Sequence, residues 1–419
     1  MSLKKKRFDK TTPEAKALRD EIVHGTFAKE GTFVAFPTCF PGASTPIRAD
    51  ESHITALDVD PKGTIYGGTS GRATHLFLGM FHGVTGMVFD MGPVEGADHC
   101  AAICCGREKF AACVNGPTGG RVITRAFQPL PFDLIQEWGF SRTPFEDLGE
   151  VVPGERILHA VAEPTRAMVV GITEGHLFTV DIEAGNRSDQ RERGCPRERA
   201  RRPNVRVVGE VPGRGRLAVG PKGNVFGLDE RGALWRYDPR TDKLERRVVR
   251  LPEEGSWEQG AIRWARDSGT GLLYAADDAG RLFSFTEEDG LGLRPLRFRG
   301  PLGKTPLAPV GPMAVTLDGR VFGACGEGIS RLFCYHPTRL SSSQAQRGDV
   351  RDLGVAVSVI ERRRYGYVFG DAVVGRDGEI VFGEDDDLGH VWLYFPKIEA
   401  SQAGGKEAES ERSETKPGK

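Results

Sequence analysis

Residues 280–290 read GRLFSFTEEDG, and the phrase G-R-L-F with which they begin returns in varied form along most of the chain. Seven copies align: THLFLG (74–79), GRVITR (120–125), GHLFTV (175–180), GALWRY (232–237), GRLFSF (280–285), SRLFCY (330–335) and GHVWLY (389–394). From His75 to His390 the mean step is about 52 residues, slightly longer than the usual period of four-stranded repeat units. The chain is therefore expected to be built from repeats.

A second phrase precedes most of these copies by roughly a dozen residues. It appears as DPKGTIYGG (60–68), GPKGNVFGL (220–228), GTGLLYAAD (269–277), TLDGRVFGA (316–324) and GRDGEIVFG (375–383). A turn glycine followed by a short apolar and aromatic run is typical of a hairpin that enters a strand. A further apolar run lies ahead of it, and another follows the G-R-L-F strand, so each unit is predicted to contain four strands.

Seven such units predict an all-β fold, a seven-bladed β-propeller over residues 31–399. A single four-stranded sheet can bury its faces only against its neighbours, and closing the ring removes exposed edges. The seventh unit has no convincing fourth strand, whereas GTFVAFPTCF (31–40) has no unit of its own. We expect this N-terminal strand to complete the last blade. Residues 1–30 are predicted to form an extension with one short helix, and residues 400–419 a disordered tail.

The phrases D-G-x-[VI]-[YF]-G and G-x-L-[FW]-x-[YF]-[DH] resemble the blade signatures of the broad propeller superfamily, including its YVTN-, NHL- and quinoprotein-type repeats, over residues 31–396. The G-H…W-D signature of WD40 blades is missing. The resemblance implies the fold, but it does not imply one activity, because propellers serve as scaffolds, lectins, hydrolases and lyases. No motif of the polysaccharide lyases among them matches.

The composition of the chain argues against nucleic acid and membranes as binding partners. The chain has 419 residues and a formal net charge of −1, which provides no overall field to attract nucleic acid or an anionic membrane. No secretory leader is recognisable, and no run approaches the roughly 20 apolar residues of a membrane-spanning helix. A cytoplasmic protein is expected. The eight cysteines fall mostly in apolar strand-like runs without a C-x-x-C pair, which favours buried free thiols.

The repeat separates structural residues from candidate site residues. A polar residue that recurs in the same slot of each blade is expected to be structural. The slot before the L-[FW] pair holds such residues in six copies: His75, Arg121, His176, Arg281, Arg331 and His390. Residues that enter the first strand of each blade differ from blade to blade and face the central funnel, as expected for a site on a symmetric scaffold.

His53 and His99 are the leading candidates, because both enter the first strand of adjacent blades after acidic residues. Two imidazoles at one level are expected either to bind one divalent metal ion or to supply a base beside a polarising partner. The alternative is a pair of satisfied polar residues.

Other funnel positions favour an anionic ligand. Arg156 and Arg214 are predicted to bind a carboxylate or phosphate, or else to form salt bridges with neighbouring loops. Glu258 lies at the same level as a further ligand-binding candidate. Tyr367 is a candidate proton-transfer residue, with core packing as the alternative.

The run EDDDLG (384–389) contains four consecutive acids, which repel one another unless they are solvated or neutralised, so a cation or a basic partner is one expectation. Two hypotheses follow. In the first, the funnel binds a small polar or carboxylated ligand, such as a carbohydrate, with metal-assisted lyase or hydrolase activity left open. In the second, the protein is a non-catalytic scaffold whose acidic rim docks protein partners.

Overall fold

The computed structural model describes residues 12–13, 16, 31–38, 46–127, 145–165, 167–182, 204–211, 215–229, 232–257, 262–287, 296–337, 349–358 and 365–397. The predicted N-terminal helix lies almost wholly outside the described residues, and the predicted C-terminal tail lies outside them entirely. In the described ranges, no helix is long and apolar enough to cross a bilayer.

The regular secondary structure of the described chain is almost entirely β-strand, with one 3₁₀ turn at Ala49–Glu51. The strands of its first half are β1 (Thr32–Pro37), β2 (His53–Val59), β3 (Ile65–Ser70), β4 (Thr74–His82), β5 (Thr85–Val94), β6 (His99–Cys105), β7 (Lys109–Gly116), β8 (Gly119–Ala126), β9 (Glu146–Glu150), β10 (Ile157–Ala162), β11 (Met168–Thr173), β12 (His176–Asp181) and β13 (Asn204–Glu210). Those of its second half are β14 (Ala218–Val219), β15 (Val225–Leu228), β16 (Ala233–Asp238), β17 (Lys243–Arg250), β18 (Arg263–Arg266), β19 (Leu273–Ala276), β20 (Arg281–Glu287), β21 (Leu296–Lys304), β22 (Val310–Val315), β23 (Val321–Cys325), β24 (Arg331–His336), β25 (Asp349–Val355), β26 (Phe369–Val374), β27 (Ile380–Glu384) and β28 (His390–Phe395).

These strands form seven antiparallel sheets of four, and the sequence prediction of a seven-bladed β-propeller is confirmed. Blades 1 to 6 each take four consecutive strands, beginning with β2, β6, β10, β14, β18 and β22 as the innermost strand. Blade 7 has the order β1-β28-β27-β26. The N-terminal strand thus closes the last blade, as predicted, with Thr32 opposite Phe395 and Pro37 opposite His390.

The hydrophobic core lies between the blades. Each pair of adjacent blades encloses one cluster of buried side chains, including the pair that closes the ring, where Leu57 and Ile65 of blade 1 pack with Val391 and Leu393 of blade 7. The six cysteines of the described ranges are buried and free, in agreement with the sequence analysis. No blade has a closed core of its own, so each depends on both neighbours.

A single contact explains why the two repeated phrases occur together. The glycine of the second phrase lies opposite the aromatic residue of the G-R-L-F strand, and the ring covers the glycine. This pairing joins Gly67 to Phe77, Gly171 to Phe178, Gly227 to Trp235 and Gly323 to Phe333. In all four pairs, a Cβ atom on the glycine would collide with the ring. Only glycine fits at this position, because the ring occupies the space that a side chain would need.

The polar residues that recur before the L-[FW] pair form ion pairs, which supports the prediction that they are structural. His75 lies 3.2 Å from Glu51 and 3.1 Å from Asp90. The other five members each have a carboxylate partner: Arg121 with Asp147, His176 with Glu155, Arg281 with Asp277, Arg331 with Asp352 and His390 with Glu384.

Gly227→Ala is expected to lower the free energy of unfolding by about 2 kcal/mol, because the new methyl group must displace the fully buried Trp235 ring. The matched control is Gly209→Ala, in an outer strand, where the new Cβ atom would make only an ordinary contact with Leu244. Urea unfolding of both variants measures the difference. If both variants lose the same free energy of unfolding, the Trp235 ring is not the reason that residue 227 is a glycine.

Candidate functional site

The seven innermost strands surround a central channel that contains a cavity of about 500 Å³. This volume lies in the range of small-molecule sites, roughly 300–1,000 Å³. Much of the wall consists of small side chains, including Ala102, Ala160, Ala218, Ala265 and Ala372. The polar groups are few, and their arrangement defines the site.

Three nitrogen-bearing side chains occupy the same level of three neighbouring blades. His159 of β10 lies opposite Ile172, the residue that follows Gly171 in the next strand. Arg263 of β18 lies opposite Ala276, which is the equivalent residue of blade 5. Arg216 lies two residues before Ala218, which places it at this level in blade 4. We call His159, Arg216 and Arg263 the donor layer.

Arg216 reaches across the channel to blade 7. Its Nη1 atom lies 2.6 Å from Asp371 Oδ1, and its Nη2 atom donates to the carbonyl oxygen of Gly370 at 2.7 Å. The other oxygen of Asp371 accepts a hydrogen bond from the backbone N–H of Leu57 at 2.9 Å. Blades 4 and 7 are not neighbours, so this ion pair joins opposite walls and anchors Asp371 on blade 1 as well.

His159 is a neutral imidazole whose ring proton lies on Nε2. Its Nδ1 atom accepts the backbone N–H of Leu217 at 3.1 Å, which leaves the ring proton of the neutral form on Nε2. Burial, and next the charges of Arg216 and Arg263, lower the pKa of His159 well below its usual value. Protonation near neutral pH is therefore unfavourable, and the ring acts as a fixed hydrogen-bond donor.

Arg263 has no hydrogen-bond acceptor and no ion-pair partner among the described residues, and its Nε atom is buried. Burial, and next the neighbouring Arg216 guanidinium, lower the pKa of Arg263 to about 9, while Asp371 and Asp385 act in the opposite direction. The group still carries its charge at neutral pH. A buried N–H donor without an acceptor costs about 1–3 kcal/mol, so the Nε–H group of Arg263 is unfavourable for the folded state.

The acids that line the cavity already have donors from the chain. Asp58 accepts the backbone N–H of Cys105 at 2.6 Å, and Glu163 accepts those of Thr165 at 2.8 Å and Ala167 at 3.0 Å. Asp371 is held by Arg216, as described above. The formal charges of the side chains around the cavity therefore nearly balance.

The two candidate histidines each begin an innermost strand, as the sequence analysis placed them, but they are held by different groups. His53 lies between two carboxylates of blade 7, with Nδ1 3.3 Å from Asp385 and Nε2 3.1 Å from Asp387. His99 Nδ1 lies 2.8 Å from the hydroxyl of Ser70. In the described part of the chain, no group of three or more His, Cys, Asp or Glu side chains has an arrangement that would hold a metal ion.

The remaining candidates lie away from the donor layer or outside the described residues. Arg156 forms a half-exposed ion pair with Asp98 at 3.2 Å, which is the salt-bridge alternative of the sequence analysis. Tyr367 packs against Tyr365, with ring centroids 5.2 Å apart, and burial followed by the Tyr365 hydrogen bond raises its pKa. Arg214 and Glu258 lie outside the described residues.

The acidic run 384–389 is neutralised largely within the chain. Glu384 is fully buried, lies 3.3 Å from His390 Nδ1 and accepts the indole N–H of Trp392 at 3.3 Å. Asp385 and Asp387 hold His53.

Sequence reasoning missed the donor layer by a few residues in each blade. It selected Arg156 rather than His159, Arg214 rather than Arg216, and Glu258 rather than Arg263. The signal was present, because RILHAV, RLAV and IRWAR each carry a basic residue one position before the residue that lies opposite the glycine of the second phrase, or opposite Ala275 in blade 5. An alignment of the first strands on this slot would have found it.

The fold places this chain among the seven-bladed β-propellers. No family model matches the sequence, and no curated protein matches it. Many solved structures are similar in fold, among them the following two. The streptogramin B lyase structure has a TM-score of 0.55 at 10% identity, covering 88% of this chain and 100% of that chain. The β-propeller domain of Cps50 (Swd1) from Myceliophteria thermophila has a TM-score of 0.51 at 11% identity, covering 84% of this chain and 99% of that chain. Likenesses at this identity show the fold alone.

His53 is expected to make stability depend on pH. The hydrogen bond to Asp385 raises the pKa of His53, although burial opposes the shift. Because the folded pKa is raised, the stabilisation is fully present below the unfolded value of about 6.5 and is lost as the pH rises through the folded value. His53→Gln should therefore cost on the order of 1 kcal/mol at pH 5.5 and less at pH 8.5.

Urea unfolding of the wild type and His53→Gln across this pH range measures the difference. His82→Gln is the control, since His82 lies at an exposed hairpin end. A cost for His53→Gln that does not change with pH would show that the two carboxylates do not act through the charge of the ring.

Proposed function

We propose that this propeller binds a small molecule bearing a carboxylate or phosphate group in its central channel. The observation that carries the proposal is Arg263, whose buried Nε atom has no hydrogen-bond partner in the described part of the chain, beside the second guanidinium of Arg216 and the neutral imidazole of His159. Arginine presents a planar fork of donors that matches a carboxylate or phosphate, and a neutral imidazole adds one further N–H.

The size and wall of the cavity support the same ligand class. A volume of about 500 Å³ accommodates a molecule the size of a sugar acid or a short dicarboxylate. An anion in this position would supply the acceptor that Arg263 lacks, and so binding would remove an existing cost besides adding a charge-assisted hydrogen bond. The ion pair between Arg216 and Asp371 holds the layer in place before the ligand enters.

The other hypotheses receive less support. A metal-assisted lyase or hydrolase built on His53 and His99 would require ligands that converge on one ion, whereas His53 lies between Asp385 and Asp387 and His99 contacts Ser70. A scaffold that docks partners on its acidic rim would need free carboxylates, and much of the run 384–389 is bound by side chains of the same chain.

The proposal is tested by calorimetric titration of the purified protein with inorganic phosphate, D-glucuronate and linear dicarboxylates of four to eight carbons. At least one of these anions should bind the wild type. Arg263→Gln should weaken that binding at least about tenfold, since a charge-assisted hydrogen bond contributes about 1.5–3 kcal/mol.

Arg240→Gln is the matched control, because Arg240 is an exposed arginine paired with Asp238 on an outer part of blade 4, and it should bind as the wild type does. The proposal fails if no anion binds the wild type, or if Arg263→Gln and Arg240→Gln bind equally well.

A further inference from the structure

Of the described residues that line the channel cavity, Trp264 is the one with a large aromatic ring. It is the second residue of β18, the innermost strand of blade 5, and it lies opposite Ala275. In blades 2 and 3 the equivalent residues are Ala102 and Ala160, which also line the cavity. Blade 2 lies across the axis from blade 5 in a ring of seven. The small residues of these two blades therefore leave room in front of the indole.

The indole of Trp264 is only partly covered by the core. It is half-buried against the cluster between blades 4 and 5, where its ring packs edge-on against Phe285 with ring centroids 5.1 Å apart. The indole N–H of the nearby Trp257 donates to the carbonyl oxygen of Pro252 at 2.9 Å, whereas no described group accepts that of Trp264. The part of the Trp264 ring that the core leaves uncovered lines the cavity.

The donor layer lies next to this ring along the channel. His159 and Arg216 are the members of the layer that line the cavity, and each precedes by one residue the position of its own blade that is equivalent to Trp264. One residue of extended strand spans about 3.3 Å. A carboxylate bound by the donor layer would therefore place the group directly attached to it at the level of the indole.

The polar side chains of the cavity favour a group without hydroxyls at this level. Asp58 and Glu163 already accept backbone N–H groups, and Asp371 is held by Arg216 and by the backbone N–H of Leu57. A sugar would give up hydrogen bonds to water on entering the cavity, and the alanines of the wall cannot replace them. A flat aromatic ring needs no such partners, and it gains a ring-to-ring contact with the indole.

We infer that the ligand of the channel is an aromatic acid, in which a flat ring lies directly beside the acidic group and packs against the indole of Trp264. The inference rests on the proposed function and names the ligand class of the same site. It assigns Trp264 the role of selecting the ring, while the donor layer binds the acid.

The test compares three acids that each carry one carboxylate directly on a six-membered ring. The ring of benzoate is flat and aromatic, that of cyclohexanecarboxylate is puckered and apolar, and that of D-glucuronate is puckered and hydroxylated. In calorimetric titrations of the wild type, benzoate should bind about fivefold more tightly than either of the other two, because only benzoate gains the aromatic contact.

Three variants assign the preference to one side chain. Trp264→Leu should lose most of the preference for benzoate over cyclohexanecarboxylate, and Trp264→Phe should keep much of it, because phenylalanine retains an aromatic ring. Trp257→Leu is the matched control. Trp257 packs against Phe283 in the same cluster, with ring centroids 5.1 Å apart, but it does not line the cavity, so this variant should keep the preference.

Circular dichroism and the melting temperature establish that each variant is folded, and the wild-type series needs no variant. If no anion binds the wild type, including phosphate and the dicarboxylates, the proposed function itself is wrong. If an anion binds but benzoate has no advantage over the other two ring acids, the channel is an anion site and the aromatic ligand is wrong. If Trp264→Leu keeps the full preference, or Trp257→Leu loses as much of it, Trp264 does not select the ring and the inference is overturned.

Discussion

The packing of each blade against its two neighbours is the interaction on which the rest of the structure depends. A sheet of four short strands has two apolar faces and no core of its own, and burial of apolar area provides about 25 cal/mol per Å² only where another sheet covers it. Seven inter-blade clusters supply that cover. The ring must then close, and it does so through the pairing of β1 with β28, which ties residues near the N-terminus to the end of the last blade.

The same packing creates the channel site. Because every blade repeats the same register, equivalent positions of the innermost strands reach the axis at the same level. Where those positions hold small residues, space remains, and where they hold His159, Arg216 and Arg263, polar groups from separate blades meet. The contact of Arg216 with Asp371 spans the axis and links walls that share no sheet. A symmetric scaffold thus carries an asymmetric set of donors, with the arginines on blades 4 and 5 and the carboxylate that pairs with Arg216 on blade 7.

Polar residues near the axis and at the edges of the blades have different functions. Histidines such as His53 and His75 lie against carboxylates of neighbouring segments, and their raised pKa values reflect that pairing. Such contacts hold loops and blade ends together. Arg263 has no such partner among the described residues, and its Nε atom is buried without an acceptor there. The sequence does not show which basic residue has a carboxylate partner, because that partner comes from another segment.

The sequence by itself determined the number of blades, the four-stranded unit and the closure by the N-terminal strand. These follow from local periodicity: a turn glycine, an apolar strand and a G-R-L-F strand recur often enough for their spacing to define the unit, and the glycine in register with an aromatic ring is visible as a pattern of letters. The sequence also placed His53 and His99 correctly at the start of innermost strands. Only the tertiary structure decided that the buried Nε atom of Arg263 has no acceptor among the described residues, that Asp385 and Asp387 hold His53, and that Arg216 meets Asp371. These are contacts between blades up to 155 residues apart in the chain, or 334 for His53 and Asp387. A repeat pattern specifies which position of a blade a residue occupies. The charged groups and hydrogen-bond donors around that position come from other blades, and they meet only because the ring closes.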